Sequence, residues 1–135
     1  MSFEELSHTA DVKIRARATT LNNLFSEVFS ALMQVMYGTT RNGSFTKIIV
    51  IDSPDTESLL ADFLSEVLFI SDVDGLVFSR ADVVITGQHL AAKLYGEPFD
   101  PVKHSGGTEV KGISYTGLTI RNDANGYMVD IVFDV

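Results

Sequence analysis

Between Asp11 and Ala18 the chain alternates strictly, with Val12, Ile14, Ala16 and Ala18 set against Asp11, Lys13, Arg15 and Arg17. A period of two predicts a half-buried strand with all four charged side chains on one face. The period then changes. Leu21, Leu24, Phe25, Val28, Phe29, Leu32 and Met36 recur at helical spacing, with Thr20 placed to cap the start and Gly38 to stop the end. Asn42-Gly43 marks a turn into a strand from Phe45 to Ile51. Ser53-Pro54 reads as an N-cap with proline at the first helical position, and Leu59, Leu60, Phe63, Leu64, Val67 and Leu68 form the apolar stripe of a second helix.

The second half has the punctuation of strands. Leu76 to Ile85 and His89 to Tyr95 flank Gly87-Gln88 as a hairpin. Val110 to Tyr115 and Leu118 to Arg121 follow. Asn125-Gly126 then turns the chain into a strand from Tyr127 to Val135. There Tyr127, Val129, Ile131, Phe133 and Val135 share one face, and Asp130 and Asp134 share the other. The order β-α-β-α-β(n) predicts an α+β fold, a mixed or antiparallel sheet with two helices packed on one face. At 135 residues it is expected to form one domain, residues 1–135.

Composition narrows the chemistry. No cysteine is present, which excludes disulfides, thiolate zinc sites and a cysteine nucleophile. The formal net charge of −8 opposes broad phosphate-backbone binding, so direct RNA binding is expected to be weak or absent, and a basic protein partner or cations fit better. Met1 to Glu5 lacks the basic start and apolar run of an export signal, and no apolar stretch approaches the ~20 residues of a membrane helix. We therefore expect a cytoplasmic protein without membrane attachment.

Three segments are richer in polar detail than folding requires. Ser7-His8-Thr9-Ala10-Asp11 leads into the first strand. His8 could be a ligand or acid–base group, or a structural histidine, and Asp11 could equally cap a turn. Gly96 to Lys111 reads as a long irregular loop carrying His104, a Gly106-Gly107 pair that could bare N–H groups to an anion or simply turn, and Lys111, which could reach a phosphate or carboxylate or merely be solvated. If the chain ends at Val135, the final strand sets Asp134 beside a free α-carboxylate. If Asp11 lay near it, an oxygen-only cluster would suit Ca²⁺, Mg²⁺ or Mn²⁺. Dinucleotide, P-loop and H-E-x-x-H signatures are absent, and no serine sits in a nucleophile elbow.

Four segments together resemble the archease family: His8-Thr9-Ala10-Asp11; Asp74-Gly75-Leu76-Val77-Phe78-Ser79-Arg80; Gly96-Glu97-Pro98-Phe99-Asp100-Pro101 with Gly107-Thr108-Glu109-Val110-Lys111; and the terminal Phe133-Asp134-Val135. They run in order across nearly the whole chain. The resemblance implies an accessory protein, not an enzyme. Its partner would be a GTP-dependent RNA ligase of the RtcB type, acting in tRNA splicing and RNA repair, whose guanylylation and turnover it would promote. A chaperone-like role toward tRNA-modifying enzymes such as methyltransferases is a second implication. A metal-dependent phosphohydrolase is the alternative of a different class.

Carried over residue by residue, the family's divalent-metal site, with calcium, magnesium or manganese as cofactor, falls on Asp11, Asp134 and Val135, the last through a backbone or terminal oxygen. Lys111, His8, His104 and Asp74 match positions expected to serve partner activation. Tyr115-Thr116 departs from the Tyr-His that often follows the Glu-Val-Lys strand in the family, and Val135 replaces the common isoleucine.

Overall fold

The computed structural model describes residues 1–8 and 11–135, with side chains described for 1–6 and 11–135. In chain order the elements are β1 (Ser2–His8), β2 (Asp11–Ala18), α1 (Leu21–Tyr37), β3 (Phe45–Asp52), α2 (Thr56–Asp74), β4 (Leu76–Thr86), β5 (His89–Pro98), β6 (Gly112–Ile113), β7 (Thr119–Asp123) and β8 (Gly126–Asp134). All strand pairs are antiparallel. The expected α+β architecture is present, with its strands divided between two sheets. One runs β1-β2-β8-β6 with β7 also on β8; the other runs β3-β5-β4.

Each helix touches both sheets. The alternation read in β2 holds: Val12, Ile14, Ala16 and Ala18 are buried and the charged residues face outward. On α1, Phe25 and Phe29 stack on Phe63 of α2, both at 6.2 Å between ring centroids, and Phe29 also meets Phe78 of β4. Burying an aromatic or aliphatic side chain of this size contributes about 1.5–3 kcal/mol, so this layer supplies much of the driving force. Thr20 caps α1 by accepting from the Asn23 N–H, and Gly38, at φ +79°, ends it.

Four boundaries differ from the sequence reading. Asp55, not Ser53, caps α2, accepting from the Ser58 N–H at 2.8 Å. The Ser53 hydroxyl instead donates to Asp62 of the helix itself, at 2.6 Å. Both residues are good cap types, and this competing bond removes one of them. Residues 2–8 form an edge strand that no alternation announces, because among its described side chains only Phe3 packs on the core. The strand expected at Val110 to Tyr115 shortens to Gly112–Ile113. Finally, β5 continues to Pro98 instead of ending at Tyr95. Its pairing with β3 ends at Gly96, so Pro98, which faces only Leu76, withholds no needed donor.

Candidate functional site

Residues far apart in sequence meet at the end of the five-stranded sheet. In the β2–β8 register Asp11 stands directly opposite Asp134, and on the other side of β8 Asp134 stands opposite Gly112 of β6. Opposed residues of an antiparallel pair have Cα atoms about 4.5–5.5 Å apart and project to the same face. Both carboxylates are therefore neighbours on the outer face, and both residues are exposed. A Cβ added at Gly112 would lie 3.6 Å from Asp134 Oδ2, so the glycine leaves that flank open. The Lys111 N–H donates to the Asp134 carbonyl at 2.7 Å, and the Lys111 side chain is exposed, lining a hollow with Leu68, Phe69 and Asp72 of α2.

Among the described residues no group of three or more His, Asp or Glu could by itself hold a metal. Asp11 and Asp134 supply two carboxylates, fewer than the six to eight oxygens calcium takes. The donor set is oxygen-only and fits a hard divalent ion provided Val135, water or a partner completes it. Val135 is partly buried against the core at the end of the same strand.

Lys111 and Gly112 reach Asp134 by way of the chain from Phe99 onward, and a compact latch anchors its start. Glu97, 14% exposed, is the hub. Its carboxylate accepts from the Asn42 N–H at 2.6 Å, the Lys103 ammonium at 2.7 Å and His104 Nε2 at 3.2 Å. The Asp100 N–H donates to His104 Nδ1 at 2.9 Å, so Nε2 must carry the ring proton that faces Glu97. The Lys103 bond above all, with the Asn42 and His104 bonds, holds Glu97 below the usual carboxylate range against the opposing effect of desolvation.

The His104 side chain is fully buried, beside Tyr37 and Phe99 at 6.4 and 5.9 Å between centroids. The Tyr37 hydroxyl donates to Ser71 at 2.6 Å, since the Ser71 hydroxyl gives its own proton to the Leu76 carbonyl. Beyond the latch, Thr108 N–H donates to the Val35 carbonyl at the end of α1. A Cβ at Gly107 would collide with the Met36 carbonyl, which explains glycine there.

The expected site residues thus separate. Asp11, Asp134, Val135 and the backbone of Lys111 converge. His104 is built into the latch, with both ring nitrogens bonded. Asp74 ends α2 and accepts from Lys47 of β3 at 2.8 Å, on the three-stranded sheet. His8 lies opposite Val12 on β1; its side chain, and all of Thr9 and Ala10, fall outside the described residues. Sequence reasoning missed the hub role of Glu97 and the pairing of Arg15 with Asp130. Arg15 grips that carboxylate through Nε at 2.7 Å and Nη2 at 2.9 Å across the β2–β8 ladder. The Arg15 guanidinium draws the Asp130 carboxyl below its ordinary range, and Lys13 and Arg121 add to the effect. The charged stripe on β2 was the available signal for this pair, but not its partner strand.

Known proteins match this arrangement over nearly its full length. The family model described as the Archease protein family (MTH1598/TM1083) matches residues 3–135. The Protein archease of Pyrococcus furiosus is 38% identical, the match covering 98% of this chain and 98% of that protein. The Protein archease of Methanosarcina acetivorans is 33% identical, covering 98% and 95%. The solution structure of Methanobacterium thermoautotrophicum protein 1598 superposes with a TM-score of 0.81 at 26% identity, covering 98% of both chains. A Thermotoga maritima crystal structure, described as an archease and possible chaperone, shares the fold with a TM-score of 0.67 at 19% identity, covering 98% and 96%. With its family model matched from residue 3 to residue 135 and relatives above 30% identity along the whole chain, this protein belongs to the archease family.

Proposed function

We propose that this archease is an accessory protein that promotes guanylylation and multiple turnover of a GTP-dependent, RtcB-type RNA ligase in tRNA splicing and RNA repair. Asp11 and Asp134, with an oxygen of Val135, would hold a divalent cation, calcium, magnesium or manganese. Such an ion supplies charge compensation where phosphates react. The observation that carries the reading is the Asp11–Asp134 register, with the Lys111 amide fixed on Asp134 from the third side. The exposed Lys111 side chain would meet an anionic group of the partner's site, and the chain's overall negative charge suits a ligase that must be basic to hold RNA. A cytoplasmic location accords with this role.

The test measures ligase–guanylate formation from labelled GTP and divalent metal. It compares no archease, the wild type, and the Asp11→Ala, Asp134→Ala and Lys111→Ala variants. Acceleration by wild type and its loss in the variants is expected. No acceleration by wild type sinks the reading.

A chaperone-like action on tRNA-modifying enzymes is the second reading. The observation that favours it is the exposed apolar surface of the loop, Phe99 at 45% and Val102 at 91%. Asp134→Ala would leave that activity intact, whereas Val102→Ser would weaken it. The phosphohydrolase alternative is weaker, because a general base must reach the metal. His104, one of its two candidates, is sequestered in the latch.

A further inference from the structure

The outer face of the five-stranded sheet carries four of the chain's ten lysines and arginines: Lys13, Arg15, Arg17 and Arg121. Two are spoken for. Arg15 is held by Asp130, and Arg17 pairs with Glu4 at 3.2 Å. Among the described side chains, Lys13 and Arg121 have no hydrogen-bond or ion-pair partner. Both line a hollow of about 310 Å³ between β8 and the turn Tyr115–Leu118. That is within the ~300–1,000 Å³ of small-molecule sites.

Beside apolar residues such as Leu118 and Met128, the lining carries polar groups that suit an anion. Ser114 and Thr119 bring hydroxyls to the hollow, and the turn is glycine-built, with Gly117 at φ +69°. Asp130 is the one carboxylate in the wall, and its charge is already met by the bidentate Arg15. Lys13 and Arg121 line the same hollow as Asp130, and the positive charge of both acts on its carboxylate.

The hollow is also held in shape. The Tyr115 hydroxyl donates to Asp62 of α2, and the Ile120 N–H donates to Glu57 of the same helix. The turn is thus tied to a helix rather than left free. Lys13 stands two residues from Asp11 on the same face, about 7 Å along the strand.

We propose that this hollow is a binding site for the phosphate chain of a nucleotide, with Lys13 and Arg121 as the charged contacts and the Ser114 and Thr119 hydroxyls as further donors. The recognition is of phosphate oxygens, for which paired cations and hydroxyls are the matching groups. A long nucleic-acid strand is disfavoured by the chain's net charge of −8 and by the acidic residues at the two ends of the same sheet, Asp11 and Asp134 at one and Asp123 at the other.

The site uses the protein's own charges, so it is tested on the isolated full chain in EDTA, without ligase or metal. Inorganic tripolyphosphate is titrated at low salt, followed by backbone amide shifts and by calorimetry. Saturable binding is expected, with the shifts concentrated at residues 114–121 and Lys13. The double variant Lys13→Gln/Arg121→Gln should weaken binding about tenfold or more, as loss of two charge-assisted contacts implies. Its melting temperature should stay close to the wild-type value, since among the described side chains neither has a hydrogen-bond or ion-pair partner to lose. Lys93→Gln, on the other sheet, should bind as wild type does.

GTP in a second arm separates recognition of the phosphates alone, seen as equal affinity, from recognition of the whole nucleotide, seen as tighter binding; either supports the site. Absence of tripolyphosphate binding, binding unchanged in the double variant, or binding of a single-stranded RNA octamer alone would each overturn it. The guanylylation assay above can fail while this binding holds, and the reverse, so the two claims stand or fall separately.

Discussion

The latch at Glu97 offers a prediction whose size follows from geometry. Glu97→Ala removes one acceptor from three donors at once. The Asn42 amide belongs to an exposed residue and regains water, so its loss costs little. Lys103 is 27% exposed and also reaches the Asn42 side-chain carbonyl at 2.8 Å once that amide is oriented to accept, so its charge keeps a partner. His104 is different. Its side chain has no exposed surface, and among the described residues Nε2 has no acceptor besides Glu97, so the full penalty of a buried unsatisfied donor applies, about 1–3 kcal/mol. With roughly 1 kcal/mol for the weakened Lys103 bond, Glu97→Ala should destabilise by about 2–4 kcal/mol.

Urea denaturation measures the total, and hydrogen exchange at the Thr108 and Lys111 amides measures whether the loop is released. Glu97→Gln, which keeps an acceptor but not the charge, should cost about half as much. The pH dependence has a definite sign. The folded Glu97 carboxyl lies below its unfolded value, so its contribution is present above about pH 4.3 and fades as pH falls through the lowered value. The wild type should therefore lose this increment in acid while Glu97→Ala shows no corresponding loss. A cost under about 0.5 kcal/mol with unchanged exchange at Thr108 would refute the latch.

Other substitutions test neighbouring parts of the argument. Asp55→Ala should lower the urea midpoint more than Ser53→Ala, which should act only through its Asp62 bond; the reverse ranking would restore Ser53 as the cap. Gly107→Ala forces a methyl into the Met36 carbonyl and should cost more than about 2 kcal/mol, read as a lowered melting temperature; a neutral result would mean the crossing is not tight. Arg41 donates from Nη1 to the Phe78 carbonyl at 3.2 Å, but its buried Nε has no partner among the described residues and burial lowers its pKa, so Arg41→Met should fall within about 1 kcal/mol of wild type, and a loss above 2 kcal/mol would show the guanidinium to be needed.

Much of this fold could be read where one face of an element is buried and the other is wet. The β2 stripe and the helix α1, with Thr20 and Gly38 at its ends, follow from period and caps alone. What periodicity could not convey is which elements meet. Nothing local in Asp11 or Asp134 says that the second strand pairs with the last; only the family resemblance implies it, and the register shows it. The latch was hidden for the same reason, since Asn42 and Glu97 are 55 residues apart. The edge strand β1 escaped because it places little apolar surface on the core, and the cap of α2 was misplaced because two suitable residues compete within three positions.

In the proposed function the paired carboxylates Asp11 and Asp134 act within a partner's guanylylation. The most direct measurement is the rate of ligase–guanylate formation across a manganese titration, with wild-type archease and with Asp134→Asn, a near-isosteric change at an exposed position that leaves the Lys111 bond to the Asp134 carbonyl in place. Stimulation that saturates with manganese for the wild type and is lost in a folded Asp134→Asn protein is the predicted result. Equal stimulation by the two proteins at every manganese concentration would contradict it.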